Sequence, residues 1–401
     1  MISVGIDVSK GKSMVCMLRP YGEVVASPYE IQHTSKELDE LCGRIISLDG
    51  EVRVVMEATG AYHLPVLSRL HEADVFVSVI NPLAMKKYAG ATLRKGKTDK
   101  MDSVKIANYG IDNWFKLEKH QPQSEIYEEL KFLGRQYAHY ITIKVSSKLA
   151  LSGILDRTMP GIKCLLKSGN SEKPTKDKLS DFVAEYQHFD NIVAMSEEEF
   201  VIDYCRWAID NGYRHSKAKA EAIYLMACNG IPTLPSGAPS TKMLTLEAIR
   251  TLAEINRILQ TILSQMQALA TTLPEYSVIR SMPGVGDVLA PRLIAEIGDV
   301  LRFHSASALI AYAGIDSPPF QSGAFTGTKR NISKRGSSLL RKTGYEVMKC
   351  LKSAKPTHDS AVYDFMCKKE AEGKPKKVAK IAALNKFLRI YYARVKEVYR
   401  I

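Results

Sequence analysis

The chain has no two cysteines at a short spacing. Its seven cysteines (Cys16, Cys42, Cys164, Cys205, Cys228, Cys350 and Cys367) are scattered through 401 residues without a C-x-x-C pair. That excludes a zinc ribbon and a disulfide framework, and it fits a reducing cytoplasm, where isolated cysteines act as small apolar residues. Long apolar runs are missing as well. None approaches the roughly 18 to 20 residues that span a bilayer, and none opens the chain, so no membrane partner is expected. Acidic residues are scarce at one end: from Phe320 to Ile401 there are 20 Lys and Arg against 6 Asp and Glu, whereas the whole chain carries a net charge of +13. The remainder is therefore close to neutral. A basic block of this kind most simply binds phosphates, because each cation that meets a nucleic-acid backbone releases condensed counterions. The bland alternative is a well-solvated face.

What is present begins with an α/β pattern. At 401 residues, two or three domains are expected. Ile2 to Asp7, Met14 to Leu18 and Gly22 to Ala26 read as strands joined by close turns, a meander. A helix follows from Ser35, whose hydroxyl can cap it, to about Ile46. Val52 to Met56 is a buried strand ending at Glu57, Pro65 to His71 is helical, and Val75 to Ile80 is another strand. Three strands in sequence followed by alternating helices and strands predict a ribonuclease-H-like domain rather than a Rossmann one.

From Leu130 the apolar spacing becomes a heptad through Leu133, Tyr137 and Tyr140. A second heptad runs Ala248, Leu252, Ile255, Leu259, Ile262, Met266, Leu269. Two antiparallel partners or an intermolecular coiled coil are implied. Turn-rich segments at Ser168 to Pro174 and Pro232 to Pro239 bracket a helical insertion at about 168–240. The predicted domains are 1–115, 116–275 (a coiled-coil hairpin with that insertion) and a mainly helical 276–401.

Several constellations carry chemistry. Asp7 and Glu57 each end a buried strand where an apolar residue would continue the core, a costly position unless the carboxylate is paired or binds metal. Asp99 and Asp102 follow in Lys97-Thr98-Asp99-Lys100-Met101-Asp102, and their i, i+3 spacing puts both on one helix face. If that helix crosses the strand ends, four carboxylates converge into the hard-oxygen environment favoured by Mg²⁺ or Mn²⁺. Taken singly, Asp102 reads as a surface or ion-paired residue. Gly5 to Lys12 can also be read as the first phosphate loop of an actin-like sugar kinase, but it lacks the usual glycine and threonine and no second phosphate loop follows.

Ser281 to Ala290 reads as helix, tight turn through Gly284-Val285-Gly286, and helix. Such a helix-hairpin-helix offers backbone N–H groups to a phosphate without reading base sequence; a structural αα-corner is the plainer alternative. Downstream, Gln321-Ser322-Gly323 lies in a loop, followed by Lys329, Arg330, Lys334, Arg335 and Arg341 before and within a helix opening near Ser337. A serine hydroxyl held against a scissile phosphate clamped by these cations is one reading. A turn or capping serine is the other.

These residues together resemble the DEDD transposases of insertion sequences, also described as bridge-RNA-guided recombinases. The resemblance runs through Gly5-Ile6-Asp7, Met56-Glu57-Ala58-Thr59-Gly60, Ile80-Asn81-Pro82, Lys97 to Asp102, Pro283-Gly284-Val285-Gly286, Ala313-Gly314 and Gln321-Ser322-Gly323, nearly the whole chain. It implies a RuvC-like N-terminal domain whose Asp7, Glu57, Asp99 and Asp102 bind Mg²⁺, and a nucleophilic Ser322 that forms a covalent phosphoserine intermediate. It also implies a homo-oligomer, dimer to tetramer, in which one protomer's acidic site completes another's serine site. Donor and target DNA and a structured non-coding guide RNA are the implied partners, in a bacterial or archaeal cytoplasm at the nucleoid. The segment from about 168 to 240 departs from the compact members. Two rivals remain: a RuvC-like nuclease that hydrolyses branched DNA with water, and a nucleic-acid-binding structural protein without chemistry.

Overall fold

The computed structural model describes residues 1–90, 98–166, 177–317, 321–322, 325–326 and 331–399. They form two compact units, Met1–Pro122 and Gln123–Ile401.

The first unit is built on a five-stranded sheet. Strands β1 (Ile2–Ser9), β2 (Lys12–Leu18) and β3 (Val24–Gln32) form the expected antiparallel meander. Helix α1 (Ser35–Ile46) leads to β4 (Val52–Glu57), α2 (Leu64–Glu72) to β5 (Val77–Ile80), and α3 (Pro82–Ala89) and α4 (Asp99–Asp112) complete the unit. The strand order is β3-β2-β1-β4-β5, with β4 and β5 parallel to β1. This is the ribonuclease-H-like order that the sequence predicts. Helix α1 is capped one residue earlier than expected: Thr34, not Ser35, accepts from the Glu37 N–H at 3.3 Å.

Both faces of the sheet are covered, and β1 serves them differently: Ile2, Val4, Ile6 and Val8 alternate with Ser3 and Gly5, whose small size lets a helix come close on the other face. Val4, Ile6 and Val8 pack with Leu38, Leu41, Val66 and Leu70 of α1 and α2. The opposite face of β4 meets α3 and α4 through Val55, Met85 and Ile106. On this face β1 carries no side-chain bulk at Gly5, because α4 lies directly on it. A Cβ there would stand 2.3 Å from both the Ala107 nitrogen and the Ser103 oxygen. Backbone atoms of a helix cannot step aside individually, so Gly5→Ala is expected to destabilise this unit by about 3 kcal/mol. Thermal unfolding followed by circular dichroism should show a transition roughly 10 °C lower; an unchanged transition would mean that α4 does not rest on Gly5.

The second unit opens with two antiparallel helices, α5 (Glu125–Thr158) and the later α11 (Pro239–Thr271), each about 50 Å long at 1.5 Å per residue. Between them stand α6 (Ile162–Leu165), α7 (Lys178–Tyr186), α8 (Phe189–Val193), α9 (Glu197–Asp210) and α10 (Lys217–Asn229). Phe182, Tyr186, Phe200, Tyr204 and Trp207 give this insertion its own aromatic core, joined to the hairpin through Leu151, Leu155 and Leu252. The seam of α11 buries Leu252, Ile255, Leu259, Leu263, Met266 and Ala270. It keeps the predicted heptad at Leu252, Ile255, Leu259 and Met266, while Leu263 and Ala270 are buried in place of the half-buried Ile262 and Leu269. A straight helix of 3.6 residues per turn drifts off a 3.5-residue repeat in this direction.

At the other end of the hairpin come α12 (Tyr276–Ser281), α13 (Leu289–Ile297), α14 (Ala306–Ala313), the two-residue strands β6 (Gln321–Ser322) and β7 (Phe325–Thr326), α15 (Ser338–Ala354), α16 (Ala361–Ala371) and α17 (Lys376–Val398). One continuous core joins them to the base of the hairpin, including Leu130, Met266, Leu293, Leu340, Met348 and Phe387. Buried Glu275 accepts hydrogen bonds from the Tyr127 and Tyr399 hydroxyls at 2.7 and 2.5 Å, tying the C-terminal segment to the start of α5.

Candidate active site

In the first unit the register brings two carboxylates side by side. The β1–β4 ladder ends at Ile6 opposite Met56, so Asp7 and Glu57 are the next residues on neighbouring parallel strands. Glu57 ends β4 as expected, but β1 continues past Asp7 to Ser9, because β2 goes on pairing with it there. Side chains alternate along a strand, so Asp7 shares the face of Gly5, and Glu57 shares that of Val55. Both are half-buried on the side that α4 covers.

The path of α4 brings the other two to the same end. Gly110 lies against Ser3, while Ser103 and Ala107 lie against Gly5. Each further pair of strand residues corresponds to four or five helical residues. The first turn of α4, with Asp99 and Asp102, therefore reaches the level of Asp7. Thr98 caps this turn by accepting from the Met101 N–H at 3.2 Å. Lys12 supplies a second sign of proximity. Its ammonium is held above the ordinary lysine range by Glu30, 2.7 Å away, and Asp99 adds a smaller pull of the same sign.

The four carboxylates share one end of the sheet, but they do not form a closed cage. Among the described residues, no three Asp, Glu, His or Cys side chains are grouped so as to hold an ion. Asp102 instead meets the Lys105 ammonium at 2.8 Å, with both groups half-buried. The donor set still suits a hard divalent cation, being carboxylate oxygen throughout, on a common face at adjacent strand ends. A cation entering there would have to share or displace the contact with Lys105.

In the second unit the helix-hairpin-helix is present, and its two glycines do different things. Gly284, at φ +83°, is pressed against α15: a Cβ there would come 2.9 Å from the Leu351 nitrogen and the Val347 oxygen. Val285 is buried. Gly286 has open space around it, and its carbonyl accepts from the N–H groups of Leu289 and Ala290, opening α13. Of the three residues, only Gly286 is placed to let a backbone approach. Asp287 beside it is paired with Arg280, which holds its carboxyl below the usual range.

Ser322 is the last residue of β6 and pairs with Phe325 of β7. The loop that carries it is closed at its roots by a clasp. Gly314, at φ +65°, ends α14, and the returning chain lies directly on it. Lys334 N–H donates to Gly314 at 2.9 Å, Ser333 N–H to Asp316 at 2.8 Å and Ser337 N–H to Tyr312 at 2.7 Å. The Ser333 hydroxyl bonds to the Asp316 carboxylate, and the Ser317 hydroxyl donates to the Asn331 carbonyl at 3.4 Å. The Ser337 hydroxyl caps α15 and donates to Glu296 at 2.8 Å. Ser317, Ser333 and Ser337 are thus each committed to holding the loop.

Of the predicted phosphate clamp, Lys334 and Arg335 are exposed beside this clasp. Arg341 has a structural task as well: its Nη1 donates to the carbonyls of Ala313 and Gly336 at 2.9 and 3.0 Å, bracing the roots of the loop. Lys329, Arg330 and Lys97 lie outside the described residues, as do Gly323 and the side chain of Ser322. Sequence reasoning overlooked Glu296. The signal was available: a carboxylate inside the apolar run Leu289–Ile297, the same anomaly that marks Asp7.

Comparison with known proteins decides the family. A transposase family model of the DEDD type matches residues 4–160, and a second, described as "Transposase IS116/IS110/IS902 family", matches residues 276–363. The chain belongs to this family of transposases. Relatives of this transposase include the pilin gene-inverting protein of Moraxella lacunata, 24% identical over 350 residues that cover 86% of this chain and 80% of the relative. The insertion element IS116 uncharacterized 44.8 kDa protein of Streptomyces clavuligerus is 24% identical over 326 residues, 81% of this chain and 78% of that one. Among solved structures, Thermus thermophilus RuvC is 14% identical, covers 29% of this chain and 96% of its own, and has a TM-score of 0.22. That score adds nothing to the assignment, which rests on the family matches. The transposase is a DNA recombinase, and DNA is its substrate. Among the described residues, no helix is long and apolar enough to cross a membrane.

Proposed function

We propose that this transposase cuts and rejoins DNA through a phosphoserine intermediate on Ser322, assisted by Mg²⁺ at Asp7, Glu57, Asp99 and Asp102 and guided by a structured RNA. The observation that carries the reading is the pairing of two features in one chain: carboxylates side by side where the β1–β4 ladder ends, and a loop whose other serines are committed to its clasp. Mg²⁺, or Mn²⁺ in its place, would supply charge stabilisation for the phosphate in flight. Mg²⁺ would be held by Asp7 and Glu57 from the sheet and by Asp99 and Asp102 from α4.

The Ser322 hydroxyl oxygen attacks the scissile phosphorus. An Oγ–P bond forms, the bond to the leaving sugar oxygen breaks, and the serine proton ends on that oxygen. Rejoining reverses the exchange: a sugar hydroxyl of the new strand attacks the phosphoserine and frees Ser322. One ester replaces another at each step, so no external energy source is required. Lys334 and Arg335 steady the DNA backbone, and Gly286, before α13, offers a close backbone approach of its own. Lys329 and Arg330 are assigned the same role from sequence.

Sequence choice is delegated to base pairing with the guide RNA, as in other RNA-guided systems. The basic block after Phe320 suits backbone contacts that carry no sequence information of their own. The reading also takes the protein as a multimer in which the carboxylates of one protomer serve the serine loop of another. A relative named for inverting a pilin gene supports strand exchange rather than simple cutting. The test is a reconstituted reaction of purified protein, Mg²⁺ and DNA carrying the element's junction, with and without RNA transcribed from the element's flank. Joined product should form only with the RNA, and the joint should move when the RNA's pairing loop is changed. Joining at the same site without RNA would remove guidance from the account.

A further inference from the structure

We infer that Glu296 is a positioning residue that anchors both roots of the loop carrying Ser322; its catalytic consequence rests on the serine reading above. The loop leaves α14 at Tyr312 to Ile315 and returns at Ser333 to Ser337. Glu296 holds both sides. Its backbone carbonyl accepts from the Tyr312 hydroxyl at 3.2 Å, and its carboxylate Oε2 accepts from the Ser337 hydroxyl at 2.8 Å. Ser337 in turn donates its N–H to the Tyr312 carbonyl at 2.7 Å. One residue of α13 therefore reaches the last turn before the loop and the cap of the helix after it.

A structural polar contact at a surface would not need a buried carboxylate. Glu296 is only 8% exposed, and among the described residues its Oε1 has no hydrogen-bond partner. Retaining a buried acid in an otherwise apolar helix face costs stability that a leucine would not. The residue's place is explained by what it holds. Beside it, between α5, α13 and α15, lies a cavity of about 20 Å³ lined by Glu296, Arg292, Lys342 and Thr343. That volume accommodates a single water, the simplest partner for Oε1. Arg292 is itself engaged by Glu346 at 2.7 Å, so it is not the counter-ion of Glu296.

The test compares amide hydrogen exchange in the free full-length protein for wild type, Glu296→Ala, Glu296→Gln, Ser337→Ala and the double variant Glu296→Ala/Ser337→Ala. Glu296→Ala is expected to speed exchange at Ser333, Lys334 and Ser337 by about tenfold, leaving Tyr391 and Val395 of α17 unchanged. Ser337→Ala, which also loses the cap of α15, should speed it at least as much, and the double variant no more than Ser337→Ala alone, because the link to Glu296 is already gone. Glu296→Gln keeps an acceptor for Ser337 and should remain close to wild type, which separates anchoring from loss of folding. Unchanged exchange at the loop roots, or a uniform rise that includes α17, would overturn the inference. In the DNA reaction, Glu296→Ala should form covalent adduct about tenfold more slowly at unaltered DNA affinity. An unaltered adduct rate would remove the positioning role. If Ser322→Ala reacts like wild type while the exchange pattern is as expected, the serine reading fails and the anchoring stands.

Discussion

Asp7→Asn and Glu57→Gln are each expected to lower the rate of strand cleavage by about 10² to 10³-fold, with DNA affinity close to wild type. Each change removes a charge and leaves the volume intact, so the packing of β1, β4 and α4 has little reason to alter. Both residues stand one place past the end of the β1–β4 ladder, on the face that α4 covers, so they act on the same point. Their effects should therefore combine to less than the sum of the two. Chelation of divalent ions should stop the reaction of wild type, and added Mg²⁺ or Mn²⁺ should restore it. Asp102→Asn is expected to have a further effect, release of Lys105 from its 2.8 Å contact. Cleavage kinetics over a range of Mg²⁺ concentrations would show the losses. Wild-type rates in both amide variants would mean that the carboxylates are structural.

Ser322→Ala is expected to abolish joined product, a loss of about 10³-fold or more, because the nucleophile has no substitute. The neighbouring serines cannot take over. Ser333 and Ser317 are bonded across the clasp, and Ser337 caps α15 while holding Glu296. The exchanged atom is a single hydroxyl on a two-residue strand, so stability should hardly change. A product-joining assay with the RNA-loaded protein measures this. Retention of joining in the variant would place the chemistry elsewhere.

The first unit was legible in the sequence because its signals are local and its sheet is buried on both sides. Apolar residues alternating along β1, and apolar stretches in β4 and β5 bounded by an acid or a turn, marked the strands, and the order of strands and helices followed. The carboxylates stood out because an acid at the end of such a run has a physical cost. Whether they close on an ion was not legible, since Lys105 sits three residues beyond Asp102 on the same face and competes for it. The heptads announced the hairpin but overstated its regularity, as beyond Leu259 the seam keeps Met266 but takes Leu263 and Ala270 in place of Ile262 and Leu269.

The clasp around the serine loop was hidden for a different reason. Its bonds join residues about twenty positions apart through backbone atoms at Tyr312, Gly314 and Asp316, and backbone partners leave no mark on side-chain pattern. Arg341 shows the consequence. In the sequence it is one more cation in a basic block, whereas in the fold its Nη1 also holds the carbonyls of Ala313 and Gly336. Gly284 is similar: a glycine in a turn motif that suggests phosphate, held by its contact with α15.

The covalent bond between Ser322 and DNA can be looked for by incubating the protein with flanking RNA, Mg²⁺ and labelled junction DNA, denaturing the mixture and digesting it for mass spectrometry. A DNA-bearing peptide modified at Ser322 is expected from wild type and none from Ser322→Ala. Cleaved DNA without any protein adduct, in equal amount from both proteins, would contradict it and make this chain a hydrolytic nuclease.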